Sequence, residues 1–148
     1  MRFPVIALVC VALASFSARL TSQALPPIAT QGLDLLVTGR GDSAVRLWTS
    51  AWTGPEDIGK RQDVIDGFRQ LSKMLGRVHG YDLIRVVDIT PHLRRAYFLL
   101  RYEKQPVYLL LVLYEAKEAW MVATFNFNTD GDKVLPPTLF GDEHPGRR

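Results

Sequence analysis

Four side chains in this 148-residue sequence have the chemistry of a general base or a polar anchor: Asp82, Asp88, His92 and Tyr102. Proton abstraction requires a carboxylate or imidazole within hydrogen-bond reach of the substrate, usually with its pKa shifted by an apolar wall. On strict strand alternation Asp82 and Asp88 share a face with Ile84 and Val86, so one choice of register turns both inward. The commoner arrangement is a pair of solvated carboxylates on an edge strand. His92 stands in the break Thr90-Pro91-His92, and Tyr102 is the only polar group expected on the inner sheet face. These four are the ligand-binding candidates, and no residue is assigned a catalytic role.

Other chemistries fall away on spacing. Asn126 to Asp132 places oxygen donors at alternate positions with Gly131 sixth, as in a calcium loop. Its first position is Asn, however, and its twelfth is Pro137 where a bidentate Glu belongs. His79, His92 and His144 have no partners at metal-ligand spacing, and no Gly-rich phosphate loop occurs. No metal or cofactor is therefore expected. The stretch Gly39-Arg40-Gly41-Asp42-Ser43 contains a cell-adhesion tripeptide. Its place between two apolar helical segments makes it a corner, with Gly39 and Gly41 suited to positive φ and Asp42 or Ser43 to an N-cap.

Arg2, the apolar run Phe3 to Leu13 and the small-x-small site Ser22-Gln23-Ala24 read as a secretory signal peptide over residues 1–24, with Ala14 or Ser17 as alternative last residues of the leader. The apolar run is shorter than the roughly 20 residues that span a bilayer, so no membrane anchor is expected after cleavage. The single cysteine, Cys10, lies inside this leader, and the mature chain would have no thiol chemistry. Cleavage also removes Arg2 and Arg19 but no acid, lowering the net charge from +3 to +1. That balance gives no reason to expect nucleic acid. The remainder divides into a single domain, 25–132, and a Pro- and Gly-bearing tail, 133–148, expected to be poorly ordered.

Positioning falls to a helical half and a strand half. Gly32 to Thr38 forms a short apolar helix; Val45, Trp48 and Trp52 recur at helical spacing in a second. Thr53-Gly54-Pro55-Glu56 has capping-box spacing and opens a long helix from about Asp57 to Val78. Its apolar stripe runs through Ile58, Val64, Ile65, Phe68, Leu71, Leu75 and Val78. Four strands follow, Tyr81 to Ile89, Leu93 to Tyr102, Val107 to Tyr114 and Trp120 to Asn128, and their short connections force antiparallel neighbours. The fold class is α+β, with N-terminal helices on one face of a curved four-stranded antiparallel meander.

Pairing Tyr102 with Val107 and Tyr114 with Trp120 gathers Ala96, Phe98, Leu100, Val107, Leu109, Leu111, Leu113, Met121, Ala123, Phe125 and Phe127 on the helix-bearing face. The opposite face then shows Arg95, Tyr97, Leu99, Arg101, Tyr108, Leu110, Tyr114 and Trp120. This mixture of Arg and aromatics over aliphatic residues is enriched at protein interfaces. Burial against a partner or second copy stands level with an ordinary solvated face.

The segment Met74 to Tyr81, the strand Tyr97 to Tyr102 running into Glu103 to Pro106, and the aromatic strands around Val112-Leu113-Tyr114, Trp120-Met121-Val122 and Phe125-Asn126-Phe127 resemble small exported bacterial members of the nuclear-transport-factor-2-like, or cystatin-like, superfamily. The resemblance covers about Ile28 to Asp132. It implies a cone of helices in a curved sheet, and a periplasmic or secreted location. Some members are ketosteroid isomerases or dehydratases with an Asp or His inside the cone, whereas others bind ligands or dimerise. With no such group on the expected inner face of strands two to four, the sequence favours non-catalytic binding, through homodimerisation or an envelope protein partner. The alternative is a small-molecule binder or isomerase-like enzyme with a cavity between the long helix and the sheet.

Overall fold

The computed structural model describes residues Ala24 to Leu139. Residues 1–23 and 140–148 lie outside the described part, and with them nearly all of the expected signal peptide, and His144. Three helices, α1 (Pro27–Val37), α2 (Gly41–Trp48) and α3 (Pro55–Leu75), precede four strands, β1 (Val78–Thr90), β2 (Leu93–Tyr102), β3 (Pro106–Ala116) and β4 (Ala119–Asn128). The sheet is open and antiparallel throughout, in the order β1-β2-β3-β4. Two single-turn 3-10 helices, Gly131–Lys133 and Pro137–Leu139, follow.

The corner between α1 and α2 is a C-cap. Gly39 has φ 79°, its N–H bonds to Leu36 O at 3.0 Å, and the Arg40 N–H bonds to Leu35 O at 2.8 Å. This is the paired closure of a Schellman motif. The expected N-cap role of Asp42 or Ser43 is not realised: Arg40 is the N-cap residue, without a side-chain cap bond, and Asp42 lies in the first turn. Gly41 is helical and needs no positive φ. The box opening α3 is likewise one residue later than the spacing suggests, with the Asp57 carboxylate accepting from the Gly54 N–H at 2.8 Å. Pro55 at the first helical position fixes this frame, since its missing N–H is one of those the helix leaves unpaired anyway.

Between helices and sheet lies one apolar core. Leu33, Val45, Trp48, Ile65 and Phe68 from the helices meet Phe98, Leu100, Val107, Leu109, Leu111 and Leu113 from β2 and β3. Trp48 contacts both Phe68 and Phe125, with ring centroids 6.5 and 5.7 Å apart, and Phe68 stacks on Phe127 at 4.3 Å. The expected stripe of α3 holds from Val64 to Leu75; Ile58 is 70% exposed in the first turn, and the helix ends at Leu75, because Gly76 turns the chain, so that Val78 is buried as the first residue of β1.

Two features of the pairing differ from the expected register, and the second revises the faces. Val107 lies opposite Leu100, not Tyr102, a slide of two residues that leaves every side chain of β2 and β3 on its expected face because the pleat also repeats every two. In β4, Ala123 is an extra residue between the pairs Val112–Thr124 and Leu113–Val122. Beyond this bulge the faces exchange. Trp120 and Val122 point to the helix side, whereas Met121 turns outward and Ala123 is exposed. Trp120 is thus removed from the outer face, where strict alternation placed it. The hairpin that sets this register is tight, with Lys117 and Glu118 both at positive φ, 49° and 63°, as a two-residue turn matching sheet twist requires.

Candidate functional site

The four candidate side chains do not converge. A bulge at Ile84 places Asp82 opposite Leu99 on the outer face and Asp88 opposite Arg94 on the helix side, so no register turns both inward together. Asp82 is exposed and pairs with Arg101 at 3.3 Å. Asp88 pairs at 2.9 Å with the Arg94 Nε. The Arg94 guanidinium lies 4.7 Å from the Trp120 ring centroid, and its Nη1 donates to Ala24 O at 3.4 Å. Tyr102 is therefore not the only polar group on the inner face, since nearly buried Arg94 shares it. At this same end of the sheet the His92 Nδ1 lies 2.9 Å from Glu115 Oε2, with the His92 side chain 67% exposed. Tyr102 stands at the far end of β2, opposite Val78.

Around Tyr102 the structure opens a cleft of about 690 Å³ between the α1–α2 corner, the last turns of α3 and the start of the sheet. Ligand pockets commonly measure about 300–1,000 Å³. Leu36, Val37, Phe68 and Val78 supply apolar wall, while Tyr102, Ser72 and Ser43 supply hydroxyls. Burial pushes the Tyr102 hydroxyl above its ordinary pKa of 10.0, against a smaller opposing effect of its hydrogen bond with Ser72. At neutral pH it is a neutral hydroxyl.

The cleft is rimmed by Arg40, Arg69, Lys73 and Arg77, with Asp42 the only carboxylate lining it. That carboxylate is already paired: Arg69 donates to Asp42 through both Nε, at 3.1 Å, and Nη2, and its Nη1 reaches Asp66 at 3.2 Å. The hydrogen bond and charge of Asp42 raise the Arg69 pKa above its ordinary value. Among the described residues Arg40, Lys73 and Arg77 have no ion pair. Spacing carried part of the signal for this rim: Arg69 and Lys73 are four apart on α3, one helical repeat, whereas Arg77 follows the end of that helix. The adhesion tripeptide forms one wall of the cleft, with its Asp42 engaged by α3.

The outer sheet face is partly covered by the chain itself. After β4 the segment 131–139 passes over it: Gly131 lies against the Tyr108 ring, and Asn126 donates to Lys133 O at 3.3 Å. Pro136, Thr138 and Leu139 border a shallow hollow with Arg85, Val87, Ile89, Arg95 and Tyr97. Tyr97 is only 3% exposed, and Val134 and Leu135 are buried outside the main core. Residues 133–139, expected in a poorly ordered tail, are thus packed structure. Leu99, Tyr108 and Leu110 are half-buried, which leaves Arg95, Arg101 and Tyr114 as the exposed members of the expected interface set.

Asn128 and Asp130 use their side-chain oxygens to accept from the Asp130 and Asp132 N–H groups, at 2.9 and 3.1 Å, forming the turns that start this segment. No group of three potential metal-ligating side chains occurs among the described residues, and none of their helices is long and apolar enough to cross a membrane. Neither a known protein family, a curated protein nor a solved structure matches this chain.

Proposed function

We propose that this chain is a non-catalytic binding domain whose ligand is a small anionic amphiphile, with the apolar body against Leu36, Phe68 and Val78 and the acidic head at Lys73 and Arg77. The observation that carries the reading is the cleft itself: an apolar wall, a neutral Tyr102 hydroxyl, and four cations against one carboxylate that is already paired. Uneven charge of this kind attracts and orients an anion, and a few polar anchors in an apolar pocket fix its pose. Asp82, Asp88 and His92 line no part of the cleft, which supports binding over proton transfer.

The cystatin-like cone belongs to the same proposal. Helices followed by an antiparallel meander support it, while the space between the long helix and mid-sheet is filled by Trp48, Phe68, Phe98 and Leu111. A ligand is therefore displaced to the Tyr102 end. Export, carried on residues outside the described part, also remains a proposal. N-terminal sequencing of the protein purified from cells tests it, and a sequence beginning at Met1 would overturn it.

Titration calorimetry with decanoate, decyl phosphate and decanol tests the ligand class. Saturable binding of the two anions is expected, with decanol much weaker. The double variant Lys73→Glu/Arg77→Glu should weaken the anions by at least about tenfold, the equivalent of one lost charged contact. Absence of saturable binding, or equal affinity in wild type and variant, would sink the reading.

A further inference from the structure

The free edge of β1 has a pattern that fits a second copy of itself. β1 is a terminal strand of an open sheet, and among the described residues no strand pairs with its outer edge. Its middle is apolar and open, with Leu83 49% and Ile84 38% exposed, and Ile89 near its end is 49% exposed. These are three of the six large apolar side chains exposed among the described residues. A long edge of this kind is a template for another strand.

The bulge decides which pairing is consistent. Before it, Tyr81 and Leu83 face the helix side and Asp82 the outside; after it, Arg85 faces outside and Val86 the helix side, with Ile84 the extra residue. Residues opposite one another in an antiparallel pair point to the same face. A two-fold axis through any one residue at the bulge would break that condition, setting Leu83 against Arg85 if placed on Ile84. With the axis between Leu83 and Ile84 the condition is met on both sides. Asp82 then meets Arg85, outside against outside, and Tyr81 meets Val86, inside against inside. Leu83 meets Ile84 at the centre, and each pair occurs twice.

Charge selects this axis from its neighbours. Moving it one residue toward either end sets Asp82 against Leu83 or Val87, and Arg85 against Gly80 or Ile84. Only the central position opposes each acid with a base. A bulge normally guards an edge by spoiling its match to a regular strand. Here it lies on the dyad, so both strands have the same irregularity at the same level. The contact of Asp82 with Arg101 uses Oδ2 and is solvent-exposed, leaving Oδ1 for the incoming arginine.

We propose that β1 pairs antiparallel with β1 of a second copy about a two-fold axis between Leu83 and Ile84, joining two sheets into one of eight strands. Charge reversal tests it, because Asp82 and Arg85 are both exposed and neither enters the core. Sedimentation of the full chain at tens of micromolar should give a dimer. Asp82→Arg or Arg85→Asp, each with an unchanged circular dichroism spectrum, should weaken it on the order of a hundredfold, since two like-charge contacts replace two attractive ones. In an equimolar mixture of the two variants, the paired arginines of one chain meet the paired aspartates of the other, which should restore a heterodimer. A wild-type monomer overturns the proposal. So does a dimer indifferent to both reversals, which would lie on another surface, or a mixture that stays monomeric.

Discussion

Arg61 shows how much one side chain sets at the scale of residues. Its guanidinium donates to Thr49 Oγ1 at 2.7 Å and to the carbonyls of Thr49 and Trp52, both at 2.9 Å. These are acceptors at and just beyond the end of α2, where helical carbonyls lack internal partners, and Thr49 is fully buried. The charge thus clamps the loop between α2 and α3. Arg61→Ala should cost about 1–3 kcal/mol in urea denaturation, because Thr49 Oγ1 and the Trp52 carbonyl lose the partner that Arg61 gives them, whereas the Thr49 carbonyl keeps the Trp52 N–H at 3.0 Å. Arg61→Lys should recover part of this, having the charge but not the planar fork. By contrast Asp42→Asn, at a pair with both side chains at least 40% exposed, should cost below about 1 kcal/mol. Neither role was legible from composition: Arg61 stands on the apolar stripe itself, three after Ile58 and four before Ile65, but spacing does not say which acceptors a cation there will meet.

At the scale of elements, the helices are ended by two glycines that do different work. Gly39 occupies the left-handed region at φ 79°, and a Cβ there would meet nothing within 4 Å. Gly76 has φ 86° and ψ −156°, a region nearly closed to other residues, with the Glu103 side chain where a Cβ would stand. Gly39→Ala should therefore cost about 1 kcal/mol, and Gly76→Ala about 2–3 kcal/mol, as read from thermal melts. Equal effects would mean that the turn from α3 into β1 relaxes when its glycine is replaced. The first glycine could be placed from the sequence, because a helix boundary and the Gly-Arg-Gly stretch coincide there. The strain at the second depends on how α3 returns to the sheet, which only packing determines.

For the whole molecule the least expected feature is the 131–139 segment on the outer sheet face. A half-exposed aromatic such as Tyr108 is ordinary, but an outward Tyr97 at 3% exposure needs a cover, and this segment supplies it. Leu135→Ala should cost about 2–3 kcal/mol, as for other buried leucines. Leu135→Asp should also expose the Tyr97 surface and raise binding of a hydrophobic dye. Tyr114→Ala, at a 44% exposed position on the same face, should do neither. If Leu135→Ala were neutral, the segment would be resting on the sheet without contributing to its stability.

Helix and strand identities were determined by the sequence alone, because periods of 3.6 and 2 are local and apolar stripes must be buried somewhere. Even a two-residue error in β2–β3 register left the faces of Phe98, Leu100, Leu109 and Leu111 correct, since parity survives an even slide. The bulges at Ile84 and Ala123 belong to the tertiary structure. An extra residue has no signature in local hydrophobicity, and cross-strand packing decides where it falls. Each bulge exchanges the two faces of its strand from that point on, which is why Asp82 and Asp88 part company and Trp120 turns inward onto Arg94. The cleft was hidden for a related reason: Arg40, Asp42, Lys73 and Tyr102 lie far apart in the chain, and the packing of the α1–α2 corner against α3 and the sheet brings them together.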